Sequence, residues 1–263
     1  MSTPRTYQTE AVVLRRTEFG EAGRIAPFYT PHLGKLKALA KGVRRPKSKL
    51  SGHVELFTHS SLLLARGRSL DVVTQGQTIN CFLPLKTDLL RSSQAFYVAE
   101  LIDRFTAEHI ENQPLFDLLI TTMGRLCQLQ NTDLLLRHFE VSLLQCLGYR
   151  PNMHRCISCN VLLRPTTNVF SPSGGGILCP ACVDTEPMVR PISVDAIKVL
   201  RLFQNADYPV ATRVKIKRVL ATEIEHVLRN YLEYLLEGRI QSTTWIDRLR
   251  RNETVGYGPA RNI

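Results

Sequence analysis

The spacing of apolar positions changes near residue 83. Upstream, five runs combine alternation with β-branched residues: "YQTEAVVLRR" (7–16), "GRIAPFYT" (23–30), "GKLKALAKGV" (34–43), "HVELFTHSSLLLARG" (53–67) and "SLDVVTQGQTIN" (69–80). A period of two sends successive side chains to opposite faces, so each run predicts a strand. Gly20, Gly23, "TPHLG" (30–34), "RRPKSKLSG" (44–52) and "RGRS" (66–69) supply the turns between them. Five short strands in so little chain predict a small closed or nearly closed β-barrel.

Downstream the spacing is helical. "TDLLRSSQAFYVAELIDRFTAEH" (87–109), "PLFDLLITTMGRLCQLQ" (114–130) and "TDLLLRHFEVSLLQCLGY" (132–149) carry apolar residues three and four apart. Pro114 and Asp133 sit where helix starts favour them, and Gly148 sits near a helix end. An irregular stretch at 150–190 follows, and helices are expected again at 193–206, 211–237 and 242–250. The fold class is therefore α+β and multidomain. No repeat or low-complexity tract is evident.

Charge sharpens this picture. The 263 residues hold 34 Lys and Arg against 23 Asp and Glu, a formal net charge of +11, which favours polyanions as partners. In 34–50, Lys35, Lys37, Lys41, Arg44, Arg45, Lys47 and Lys49 are basic and none is acidic; the acid-free window runs from Ala22 to Val54 and includes Arg24. Alternation puts Lys35, Lys37 and Lys41 on one strand face, with Arg44, Arg45, Lys47 and Lys49 continuing it into the next turn. One or two lysines suffice to protect an edge strand from aggregation, so this density points to a binding surface. No apolar run approaches the ~20 residues of a membrane span, and "MSTPRTYQTE" has no signal-peptide core. The expected location is the cytoplasm, where thiols stay reduced.

The seven cysteines then need another reason. Cys156, Cys159, Cys179 and Cys182 form C-x2-C-x19-C-x2-C, the spacing of a closed tetrahedral site for one structural Zn2+. Four-cysteine ligation alone also fits an iron–sulfur or rubredoxin-like iron site. His154 is a substitute ligand only if a cysteine fails. Cys81, Cys127 and Cys146 lie in apolar stretches and are expected to be buried.

Nothing requires catalysis. The chain lacks a Walker A loop, a G-x-G-x-x-G turn and H-E-x-x-H. The glycines at 174–176 fall inside the cysteine segment and read as a turn. Glu140, Glu223, Glu225 and Glu233 fall on predicted helices as solvated or ion-paired positions, and no catalytic residue is assigned.

The stretches "LGKLKALAKGVRRPKSKLSG" (33–52), "AFYVAELIDRF" (95–105), "LRHFEVSLLQCLGYRPNMHRCISC" (136–159), "FSPSGGGILCPAC" (170–182) and "GRIQSTTWIDRL" (238–249) resemble the bacterial RecO family of recombination mediators and DNA repair proteins, over nearly the whole chain. The resemblance implies an OB-fold at 1–82, a helical domain in two parts (83–149 and 191–250), a zinc-finger-like insert at 150–190, and a tail at 251–263. It also implies binding of single- and double-stranded DNA, annealing of complementary strands, and replacement of single-strand-binding protein by RecA. The implied partners are RecR, the C-terminal tail of single-strand-binding protein and, as a further candidate, RecF; the implied location is the nucleoid. The seven basic residues of 34–50 match the family's basic barrel surface and are carried over as a DNA-binding group, to which the charge pattern adds Arg24. OB-folds add stacking aromatics to a positive groove. Phe19, Phe28 and Tyr29 are available, but a barrel core also needs aromatics; Phe19 and Phe28 are read as core and Tyr29 is left open. For the acidic, apolar-ended tail of single-strand-binding protein, Arg213, Lys215, Lys217 and Arg218 beside an apolar helical stripe form a candidate groove. Two rivals stand beside this reading: a zinc-stabilised RNA-binding protein with a basic OB-fold, and a nuclease with an unrecognised carboxylate cluster.

Overall fold

A computed structural model describes residues 5–211 and 213–255; residues 1–4 and the part of the 251–263 tail from 256 onward lie outside the described residues. The chain forms two compact units, the first from residues 1–128 and 240–263 and the second from residues 129–239.

The first unit opens with six strands: β1 (Thr6–Val13), β2 (Thr17–Phe19), β3 (Gly23–Thr30), β4 (Gly34–Ala40), β5 (His59–Ala65) and β6 (Asp71–Asn80). Their order is β1-β5-β6-β4-β3-β2, and a further β1–β3 pairing (Val12 opposite Tyr29, Val13 opposite Phe28) closes five of them into a barrel. This is the expected OB-like barrel, with β4 and β6 parallel from Ala38 opposite Asp71 onward. A five-stranded barrel is narrow inside. Alanines 11, 26, 38 and 40 accordingly point inward, at most 2% exposed, and leave room for Phe28, Leu62 and Leu64. The connection after β4 seals one end with Val43 and Val54. There a one-turn helix, Ser51–Val54, runs so close to β6 that a Cβ on Gly76 would lie 2.8 Å from the His53 Cβ. The three residues of β2, too few for a periodic signal, extend the β3 hairpin beyond the closed barrel.

Four helices complete this unit: α1 (Pro84–Thr87), α2 (Leu89–Phe105), α3 (Gln113–Gln128) and α8 (Thr243–Val255). The Asp88 side chain caps α2 by accepting from the Arg91 N–H at 2.8 Å. Glu100, on α2, accepts from the Gln241 N–H, the Ser242 N–H and the Ser242 hydroxyl at 2.9, 2.8 and 2.6 Å, which fixes the start of α8.

The second unit packs α4 (Asp133–Cys146), α5 (Val194–Asn205), α6 (Tyr208–Ala211) and α7 (Arg218–Leu235) with a three-stranded sheet, β8 (Gly176–Leu178), β7 (Asn168–Ser171) and β9 (Arg190–Ile192). The helix expected over 211–237 is divided. "RVKIK" (213–217) alternates charged and β-branched residues and is not helical, so α7 begins at Arg218. Within the unit, Arg137 and Glu140 pair at 2.6 Å with 5% and 0% of their side chains exposed. Glu140 is thus ion-paired, as expected of the helical acids, but it is not solvated. Among the described residues no helix is long and apolar enough to cross a membrane.

Candidate nucleic-acid interface and metal centre

Alternation along β4 holds: Leu36, Ala38 and Ala40 are buried, while Lys35, Lys37 and Lys41 share the outer face. The structure then sorts the eight expected basic residues by what surrounds them. Lys35 is only 13% exposed and lies 3.3 Å from the Asp103 carboxylate, while also donating to the Asp103 carbonyl. Arg24 pairs with Glu55 at 2.9 Å, and Arg16 reaches the same carboxylate. Arg44 meets Glu18 at 3.3 Å, and Lys37 meets Glu108 at 2.5 Å. Lys41, Arg45, Lys47 and Lys49 are exposed, and no carboxylate among the described residues pairs with them.

Tight turns hold these four out. Gly42 takes φ +67, the Arg45 N–H donates to the Gly42 carbonyl at 3.1 Å, and the Ser48 N–H donates to the Arg45 carbonyl at 3.0 Å. Backbone bonding therefore shapes the loop, leaving its cations to water or to a polyanion. Sequence reading missed a second basic spot: exposed Arg5, Arg66 and Arg68, where the Arg66 N–H donates to the Arg5 carbonyl and the Arg66 guanidinium stands 4.9 Å from the Tyr7 ring centre. Two arginines in "RGRS" (66–69) are too sparse to stand out.

The aromatics correct one expectation. Phe28 and Tyr29 are 1% and 0% exposed and belong to the core, whereas Phe19, read as core, is 51% exposed on β2. Phe19 lies outside the closed barrel, so the interior cannot cover it.

In the second unit the four cysteines converge. The sulfurs of Cys156, Cys159, Cys179 and Cys182 all lie within 4.8 Å of one another. Each pair turns on its own backbone: the Asn160 N–H donates to the Cys156 carbonyl, with Asn160 at φ +59, and the Cys182 N–H donates to the Cys179 carbonyl. Strand β8 and the turn before it bring the pairs together, and the glycines there pack closely. A Cβ on Gly174 would sit 2.2 Å from Ile157 Cδ1, and one on Gly176 would sit 2.8 Å from the Asn152 carbonyl oxygen.

Burial pushes the Cys156 thiol up, but backbone N–H groups of Cys159, Cys179 and Ser158 aimed at its sulfur outweigh this and bring it down to about 6. For Cys182 the Ser158 side chain pulls down, yet the neighbouring thiols Cys159 and Cys179 push it up to about 12. Four sulfurs so close resist losing all their protons without a cation among them, and the donor set fits one tetrahedral metal ion. His154 is outside the cluster; burial and then Arg201 and Arg150 hold its imidazole below the ordinary range. Of the other cysteines, Cys81 is exposed and Cys127 and Cys146 are half-buried, so the expected burial of all three is corrected. Cys81 immediately precedes Phe82, whose φ of +44 marks a turn.

Arg213, Lys215, Lys217 and Arg218 are exposed. The apolar stripe that follows, Ile224, Val227, Leu228, Tyr231 and Leu232, is buried. The four cations therefore stand beside a core helix, and α7 offers no apolar groove of its own.

The family model described as Recombination protein O N terminal matches residues 1–82, and that described as Recombination protein O C terminal matches residues 86–244. Among curated proteins, a DNA repair protein RecO of Dehalococcoides mccartyi is 43% identical over 251 residues, covering 95% of this chain and 99% of that protein. DNA repair proteins RecO of Roseiflexus and Desulforamulus reducens are 41% and 33% identical, each covering 94% of this chain, and 87% and 96% of their own lengths.

Proposed function

The chain belongs to the RecO family of DNA repair proteins, and from that premise we propose that it is a non-enzymatic recombination mediator. It binds single- and double-stranded DNA through phosphates, without reading bases, and anneals complementary strands. With RecR, and with RecF as a further partner, it helps replace single-strand-binding protein by RecA in the cytoplasm, at the nucleoid. The observation that carries this reading is the loop Lys41–Lys49. Four exposed cations at the end of an OB-like barrel have no protein counter-ion among the described residues, and releasing their condensed counterions on DNA drives binding.

Annealing follows without chemistry. Cations that hold two strands by their phosphates reduce the repulsion between them and leave the bases free to pair. On the barrel strands, exposed Phe19 is an aromatic available for stacking. The metal is one Zn2+ held by Cys156, Cys159, Cys179 and Cys182, and when bound it supplies structural cross-linking alone, because four thiolates fill its coordination. The acidic tail of single-strand-binding protein is assigned to Arg213, Lys215, Lys217 and Arg218 as an electrostatic contact.

The test is annealing of two labelled complementary strands, bare and coated with single-strand-binding protein, by the natural chain and by a variant with Lys41, Arg45, Lys47 and Lys49 changed to Gln. Annealing that survives the coating and fails in the variant upholds the reading. A folded natural chain that anneals neither substrate overturns it, and tighter binding to matched RNA than to DNA would favour the RNA-binding alternative.

A further inference from the structure

Strand β6 pairs with β4 only from Ala38 onward, so the first half of β4 meets a different neighbour on that side. The segment after α2 takes the place. Lys35 bridges Glu108 in parallel register, and the His109 N–H donates to the Lys35 carbonyl at 2.9 Å. Gly34, at φ +61, makes the approach possible: a Cβ there would lie 1.9 Å from the Ile110 carbonyl oxygen. Backbone geometry thus lays residues 106–111, with acids Glu108 and Glu111, along the strand that carries the first two expected DNA contacts, and Asp103 joins them from the end of α2.

Three pairs result: Lys35 with Asp103 at 3.3 Å, Lys37 with Glu108 at 2.5 Å and His32 with Glu111 at 3.1 Å. They differ in exposure. The side chains of Lys35 and Asp103 are 13% and 20% exposed, those of Lys37 and Glu108 47% and 40%. A phosphate cannot reach the first pair without opening the packing. It can compete for the second, since an exposed ion pair exchanges at little cost.

We propose that residues 106–111 are an autoinhibitory acidic strap, in which Glu108 holds the Lys37 ammonium as a stand-in for phosphate until bound nucleic acid displaces it. This rests on the proposed DNA-binding role of the barrel. Lys37 is then a reserve contact. DNA anchored on Lys41–Lys49 raises the local phosphate concentration around Lys37, which stands four residues, or about 13 Å, back along the strand. Weak or transient encounters leave the strap shut, and a strand long enough to reach past Lys41 opens it.

The test measures binding of a labelled oligothymidylate to the full chain by anisotropy across a range of NaCl. Glu108→Gln, at an exposed position where folding can be verified by a still-cooperative thermal transition lowered by no more than an exposed ion pair accounts for, is expected to bind about two- to fivefold tighter. Its slope of log K against log salt steepens by about 0.7, because no carboxylate is left to recapture a cation. In a Lys37→Gln background the same change has no effect. Unchanged binding by Glu108→Gln overturns the strap, as does a gain that persists in full without Lys37, which marks general charge repulsion. A Lys47→Gln/Lys49→Gln chain separates the two readings. If it flattens the slope while Glu108→Gln does nothing, the strap alone fails; if neither alters binding, the barrel reading fails and the strap with it.

Discussion

The Lys35 ammonium lies 3.3 Å from the Asp103 carboxylate, with both side chains largely covered, so a residue that its sequence assigns to the DNA surface is held inside its own unit. Asp103→Asn is expected to lower stability by about 1–3 kcal/mol, the cost of leaving a covered charge short of its partner. Urea unfolding would measure this. A gain of DNA affinity with no loss of stability would return Lys35 to the binding surface.

The loop cations behave oppositely. Changing Lys47 and Lys49 to Gln leaves the urea midpoint in place and flattens the salt dependence of single-strand binding by about 1.4, at roughly 0.7 per phosphate contact. An unaltered slope moves the binding face elsewhere, with Arg5, Arg66 and Arg68 the next positions to change.

The hydrogen bond from Lys37 holds the Glu108 carboxyl below its ordinary 4.5; slight burial opposes this, and Lys35 and His109 add to the pull. A depressed carboxyl stabilises the folded chain above its ordinary pKa, and that contribution fades as pH falls through the depressed value. An NMR titration should find Glu108 below 4.5 in the natural chain and close to it in Lys37→Gln. Identical titrations would dissolve the pair.

Chelation of the metal, or Cys156→Ser with Cys179→Ser, should lower the thermal midpoint by several degrees, since about 1 kcal/mol shifts a protein of this size by 2–4 °C. Intrinsic contact with DNA should persist. Elemental analysis of the natural chain should return one zinc; a metal-free double variant that melts with the natural chain would refute a structural metal.

Arg137 and Glu140 offer a separate test of the second unit. Glu140→Gln removes the nearer counter-ion, at 2.6 Å, of a guanidinium at 5% exposure but leaves it Glu225 at 3.5 Å, so the cost should be about 1–3 kcal/mol rather than that of a stranded charge. Replacing both residues with apolar ones of similar size should cost less.

Much of this was legible because it is local. Alternation in "GKLKALA" (34–40) specifies which side chains of β4 face inward, and the two C-x2-C pairs specify the metal centre at 19 residues' separation. The fate of the lysines was not legible. The carboxylates that claim Lys35 and Lys37 come from α2 and the segment after it, 68 and 71 residues on, and the glutamate on Arg24 lies 31 residues on, just past the acid-free window. Linear charge density does not register pairing across a fold. The late start of α7 does have a local signal: Arg213, Val214, Lys215, Ile216 and Lys217 alternate, and the helical spacing begins only after them. Phe19 misled because three residues of β2 carry no period to say which side is inside.

Glu100 clasps residues 241 and 242, yet 111 residues of another unit (129–239) intervene before they are made. A ribosome delivers the barrel and α1–α3 long before α8 exists, so the first unit stays incomplete while the entire second unit emerges. During that interval the Glu100 carboxylate keeps Arg104, one turn on in α2 at 3.4 Å, but lacks the donors of residues 241 and 242, and the α2 face that α8 covers stays open. The order of synthesis therefore sets the order of maturation: the four-cysteine unit can finish first, and the barrel unit locks only when the last helix arrives.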